Sequence, residues 1–66
     1  MPLNFDEVRV IEGEEKGACY TPLEFLHLSL SIRVKYIMGQ QIAFYKNGTE
    51  MDKISCLNEL RLSKAN

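Results

Sequence analysis

The chain holds one histidine, His27, and two cysteines, Cys19 and Cys56, and these three residues bound its chemistry. A serine or cysteine nucleophile needs a base beside it and a third group to orient that base. His27 is the sole imidazole. It falls inside an apolar helical pattern between Leu23 and Leu30, which predicts a partly buried helix residue rather than a base. The same three residues could give zinc three ligands. None of them is paired at C-x-x-C or H-x₃-H spacing, and a fourth ligand of the usual kind is missing. Glu12, Glu14 and Glu15 lack the alternating oxygen donors and closing glutamate of a calcium loop, and they read as a solvated charge run. Gly13 and Gly17 are not followed by Lys-Ser/Thr, and the glutamates between them would repel a phosphate. Asn47-Gly48-Thr49 matches the glycosylation triplet, which matters only in a secreted protein. The residues therefore predict a non-enzymatic protein with no catalytic set, no metal and no cofactor.

Size and charge narrow the class further. Sixty-six residues allow one small domain spanning 1–66, with a modest core that buries roughly 60% of the unfolded surface. A content of 45% hydrophobic and 26% charged residues is ordinary for a globular domain and argues against wholesale disorder. The first residues, Met1-Pro2-Leu3-Asn4-Phe5-Asp6-Glu7, have neither a basic start nor an apolar run, and Pro2 excludes myristoylation. The longest mainly apolar stretch, Leu23 to Met38, is interrupted by Glu24, His27, Arg33 and Lys35, so no membrane partner is expected. These features predict a cytoplasmic protein with reduced thiols. A domain this small, without a disulfide or metal, often gains stability from another protein or a second copy of itself. The net charge of −1 hides a split: residues 1–28 sum to −4 and residues 29–66 to +3.

The elements follow from local patterns. Val8 and Val10 alternate within a strand predicted over 5–11; Phe5 and Ile11 fall on its other face, which calls for a bulge or an edge position. Residues 12–17 read as a mobile acidic loop. Thr21-Pro22-Leu23-Glu24 is a capping box with proline at the first helical position. Ser29 and Ser31 compete for backbone hydrogen bonds, so the spacing predicts helices at 22–28 and about 30–40, with one continuous helix as the alternative. Gln41 to Lys46 alternates as a strand, and Asn47-Gly48 predicts a hairpin turn within a hairpin at about 41–51. Asp52 then caps a helix at about 53–63; alternatively, Thr49 to Asp52 is itself a capping box and no full hairpin forms. Residues 1–4 and 63–66 should fray. The fold class is α+β, three short helices with a small antiparallel sheet made of the N-terminal strand and the hairpin. The expected core is Val8, Val10, Leu23, Leu26, Leu30, Val34, Ile37, Ile42, Phe44, Ile54, Leu57 and Leu60.

The helix at 30–40 carries the functional expectation. At 100° per residue Leu30, Val34, Ile37 and Met38 form one stripe, while Ile32 and Tyr36 lie on the roughly opposite side. Apolar groups on two sides need two covers. The leading expectation is a protein-interaction module, an adaptor or regulator, that binds another protein or a second copy through Ile32, Arg33 and Tyr36. Arginine and tyrosine are types enriched in binding hot spots. The alternative rests on a resemblance. Val34, Ile37 and Ile42, then Gly48 at a wing-like turn, then Ile54, Leu57 and Leu60 resemble the small winged-helix DNA binders of the excisionase and MerR type. That resemblance implies helix contacts to nucleic acid from Arg33, Lys35, Gln40 and Gln41, and wing contacts from Lys46 and Asn47. The slightly acidic total and the single basic wing residue depart from the basic footprint expected of such proteins.

Overall fold

The computed structural model describes residues 3–65, with side chains given through Arg61. Its elements are β1 (Glu7–Val10), β2 (Cys19–Tyr20), α1 (Pro22–Leu26), α2 (Leu30–Met38), β3 (Ile42–Lys46), β4 (Thr49–Glu50) and α3 (Lys53–Ala65). The strands form one antiparallel sheet in the order β2-β1-β3-β4. This is the expected α+β class, three helices with the N-terminal strand and a hairpin. The added strand β2 is only two residues long, too short to show a period in sequence. It exists because Gly17, with φ at 100°, turns the backbone back along β1. Two bonds then close the turn: Gly17 N–H donates to Val10 C=O (2.9 Å), and Val10 N–H donates to Ala18 C=O (2.9 Å). β1 is thus an interior strand, not an edge.

The register sets the two faces of the sheet. Val8 stands opposite Phe44 and Tyr20, and Val10 opposite Ile42, all on the core side. The alternate residues Glu7 and Arg9 stand opposite Tyr45 and Ala43 on the outer side. There the Arg9 guanidinium lies 4.0 Å from the Tyr45 ring centroid and pairs with Glu7 at 3.0 Å. No bulge is needed to reconcile Phe5 with Val8. The strand begins at Glu7, and a bend before it lets Phe5 curl inward, its ring edge-on to Phe44 at 4.9 Å. Ile11 lies beyond the strand and is exposed.

Capping chemistry fixes the helix starts. Thr21 Oγ1 accepts from Glu24 N–H (3.1 Å), and Glu24 Oε1 accepts from Thr21 N–H (2.9 Å), the full capping box ahead of Pro22. Ser29 has an extended backbone, and its hydroxyl accepts from Ile32 N–H (3.3 Å), which starts α2 as a separate helix. α1 and α2 end two residues earlier than expected, at Leu26 and Met38. Asn47 and Gly48 have φ of 52° and 82°, both positive as a type I′ hairpin turn requires. Thr49 and Glu50 pair with Lys46 and Tyr45, so the hairpin forms in place of the 49–52 capping box. Asp52 Oδ2 accepts from Ser55 N–H (2.9 Å) and caps α3, which runs on through Ala65 where fraying was expected. At the other end, the Asn4 amide donates to the Glu59 carboxylate of α3. The expected fraying at residues 1, 2 and 66 lies outside the described residues.

The core is more aromatic than expected. Phe5, Phe25, Tyr36 and Cys56 join Val8, Val10, Ile42, Phe44 and Leu60 in one buried cluster. Leu26, Ile37 and Leu57 are half-buried against it. Four residues expected inside are instead exposed: Leu23 (65%), Leu30 (58%), Val34 (47%) and Ile54 (70%). The reason is volume. Phe25 and Tyr36 stack with centroids 6.5 Å apart, and Tyr20 stands 6.3 Å from each. Aromatic side chains bury roughly 150–250 Å² each. Together they fill the space over a short sheet and displace the smaller leucines outward.

Candidate docking groove

Turning Tyr36 inward rotates α2 and leaves its leucine side beside a gap. The gap is an apolar groove of about 280 Å³ between the three helices. Phe25 and Leu26 of α1 form its floor end, Leu30, Val34 and Ile37 of α2 one wall, and Leu57 and Leu60 of α3 the other. Met38, four residues past Val34, is the next residue of that stripe on α2 and is exposed, outside the groove's lining. Ile54, three residues before Leu57 on α3, is likewise exposed and outside the lining. Among the described residues, the charged ones lining the groove are Arg33 and Arg61. Arg33 is half-buried, and its Nε donates to Leu28 C=O (3.1 Å), which ties it to the α1–α2 connection. Arg61 is exposed.

The residues singled out for partner binding do not share one surface. Ile32 is exposed, Arg33 lines the groove, and Tyr36 is only 4% exposed. Tyr36 therefore cannot meet a partner. Its hydroxyl lies 3.5 Å from that of Tyr20, and this contact together with burial pushes its pKa up to about 12. The groove's Leu30 and Val34 were legible as one stripe. Their exposure was not, because periodicity gives two apolar sides without saying which one the domain covers.

The nucleic-acid set lies on α2, the turn that follows it and the hairpin tip. Lys35 is exposed on α2, and Gln40 is exposed at a turn with φ at 51°. Gln41 is half-buried. Its backbone carbonyl accepts from Ile11 N–H (2.7 Å), and its carboxamide packs on Gly13, where an added Cβ would come within 2.9 Å of Nε2. Lys46 and Asn47 sit at the exposed hairpin tip. Asn47 N–H donates there to the Asp6 carboxylate (3.2 Å), and Asp6 N–H donates to Tyr45 C=O (2.9 Å). The tip is thus held against the rest of the sheet with an acid beside it, unlike a free basic wing.

The reactive side chains are dispersed too. His27 is exposed at the C-cap of α1 rather than partly buried. Cys19 is exposed beside Glu7, whose carboxylate raises the thiol pKa. Burial raises that of Cys56. Both shifts keep sulfur protonated and weaken it as a nucleophile. Among the described residues no three of His, Cys, Asp and Glu gather to hold a metal ion. No described helix is long and apolar enough to cross a membrane. No protein-family model, curated protein or solved structure matches this sequence.

Proposed function

We propose that the protein is a non-enzymatic protein-interaction module, an adaptor or regulator, that receives a helix of a partner protein in the groove between α1, α2 and α3. The observation that carries this reading is an apolar groove between the three helices with exposed Leu30 and Val34 in its lining. Exposed apolar side chains that are contiguous, rather than scattered, mark interaction surfaces. An open trough between helices suits the helix-in-groove mode, in which anchors at i, i+3 or i+4 and i+7 dock into an apolar channel.

The test is selection of constrained helical peptides on the full-length protein, with Val34→Asp as the counter-target. Val34 is half-exposed, so the substitution should leave the melting temperature nearly unchanged while placing a charge in the wall. Peptides that bind the parent and not the variant are expected. If no peptide distinguishes the two proteins, the groove is not a docking surface.

A further inference from the structure

We infer that the helix received by this groove is acidic at its flanks, and that Arg33 and Arg61 act as a two-point clamp on its carboxylates. The inference rests on the helix-in-groove reading and adds the charge of the partner. Every charged residue described along the groove is an arginine, one from α2 and one from α3. Among the described residues the one ion pair is Arg9 with Glu7, so no described carboxylate is paired with either groove arginine. Arg33 is oriented before any partner arrives. Its Nε–H is used on Leu28 C=O, which leaves the terminal N–H groups of its guanidinium for a ligand. A guanidinium fork held in this way matches a carboxylate and gives up less freedom on binding than a loose one.

The same charges argue against a second copy as occupant. Groove packed on groove across a two-fold axis is self-complementary by symmetry. It would cover the arginines of each copy with a surface that offers them no carboxylate, and an unpaired charge buried in an apolar setting is costly. The protein's own acidic run, Glu12 to Glu15, offers no apolar anchors, since only Gly13 separates its glutamates. A different protein with leucine-like anchors and flanking aspartate or glutamate satisfies both the apolar walls and the arginines.

The experiment uses two lactam-bridged helical peptides with identical leucines at i, i+3 and i+7. One carries glutamates and the other lysines at the flanking positions. Each is titrated into the isotopically labelled full-length protein at low ionic strength, where the Debye length is ~30 Å at 0.01 M salt. The glutamate peptide is expected to bind about tenfold more tightly, with the signals of Leu30, Val34 and Leu57 moving; the preference should shrink as salt rises. Arg61→Glu should abolish or invert the preference. It is the primary variant because Arg33→Glu also removes the bond to Leu28. Equal affinity of the two peptides, preference for lysine, or no movement of groove signals with either peptide overturns the acidic clamp. Equal affinity with groove signals moving leaves the docking reading standing and removes only the charge. Sedimentation that shows self-association lost in Val34→Asp assigns the groove to a second copy and also overturns the clamp.

Discussion

Replacing Tyr36 by alanine should strongly destabilise the protein, whereas replacing Val34 should do so only weakly. The two residues sit two positions apart on α2 and differ in where the helix turns them. Tyr36 is 4% exposed, stacked on Phe25 at 6.5 Å and tilted against Tyr20 at 6.3 Å. Truncating a buried aromatic to alanine costs roughly 3–5 kcal/mol, part transfer and part cavity. At about 0.05–0.15 kcal/mol per residue, a protein of 66 residues holds roughly 3–10 kcal/mol in total. Tyr36→Ala therefore removes between a third and all of the stability. Val34 is 47% exposed. Complete burial of a valine is worth only about 1.5–3 kcal/mol, and about half of this side chain is covered, so Val34→Ala, which keeps the Cβ, should cost about 1 kcal/mol. Urea unfolding followed by far-ultraviolet circular dichroism measures both, since the sequence has no tryptophan. Equal slopes with separate midpoints would attribute the difference to stability. A Val34→Ala loss as large as that of Tyr36→Ala would mean that α2 packs through its leucine side, and the groove would then not exist.

Other perturbations probe separate links. The Tyr36 hydroxyl ionises at about 12 in the fold, against an ordinary tyrosine value near 10. Its proton is held more tightly in the folded state, so that stabilisation is complete below pH ~10 and is lost as the pH rises towards 12. Tyr36→Phe should flatten the alkaline decline of stability in that window, and an unchanged profile would contradict the hydroxyl contact with Tyr20. Thr21→Ala removes the capping-box acceptor of α1 and should cost about 1 kcal/mol, a fall in Tm of roughly 4–8 °C for a domain this size; an unchanged Tm would show that α1 is held by packing alone. Gly48→Ala forces a side chain into a turn with φ at 82° and should lower Tm, whereas no change would question the type I′ geometry. A fluorescent duplex titrated with the full-length protein at low and moderate salt should show no steep, salt-sensitive binding, because the net charge is −1 and the hairpin tip has the Asp6 carboxylate bonded beside its one lysine; micromolar binding that weakens sharply with salt would restore the nucleic-acid alternative.

The parts of the fold legible in sequence were those written in local chemistry. Thr21-Pro22-Leu23-Glu24 specified the start of α1, Ser29 the break before α2, Asn47-Gly48 the hairpin, and Asp52 the start of α3. Each of these is decided within about four residues, by a side chain meeting a nearby backbone group. β2 was not legible, because two residues have no period and their pairing depends on a glycine turn and on the open edge of β1. The core was half legible. Val8, Val10, Ile42 and Phe44 alternate, and a strand's two-residue period allows just one choice of face.

The helices allowed more than one choice, and there the expectation inverted. α2 has Leu30, Val34 and Met38 on one side and Ile32 and Tyr36 roughly opposite, and counting apolar residues favours the leucine side as the interior. Volume decided otherwise. Phe25, Tyr20 and Tyr36 make an aromatic layer over Val8 and Phe44, and α2 turns to supply its largest ring. The two-sided pattern was therefore real, but the domain covers the tyrosine side and leaves the leucine side open. That inversion moves the open apolar surface from one side of α2 to the other. A helix that needs two covers has one from its own domain, and the vacant side is the one that borders a groove with two arginines. The apolar residues left outside are more numerous and more contiguous than the Ile32 and Tyr36 pair, which makes the case for a protein partner stronger at Leu30 and Val34 than at the face first suggested by sequence.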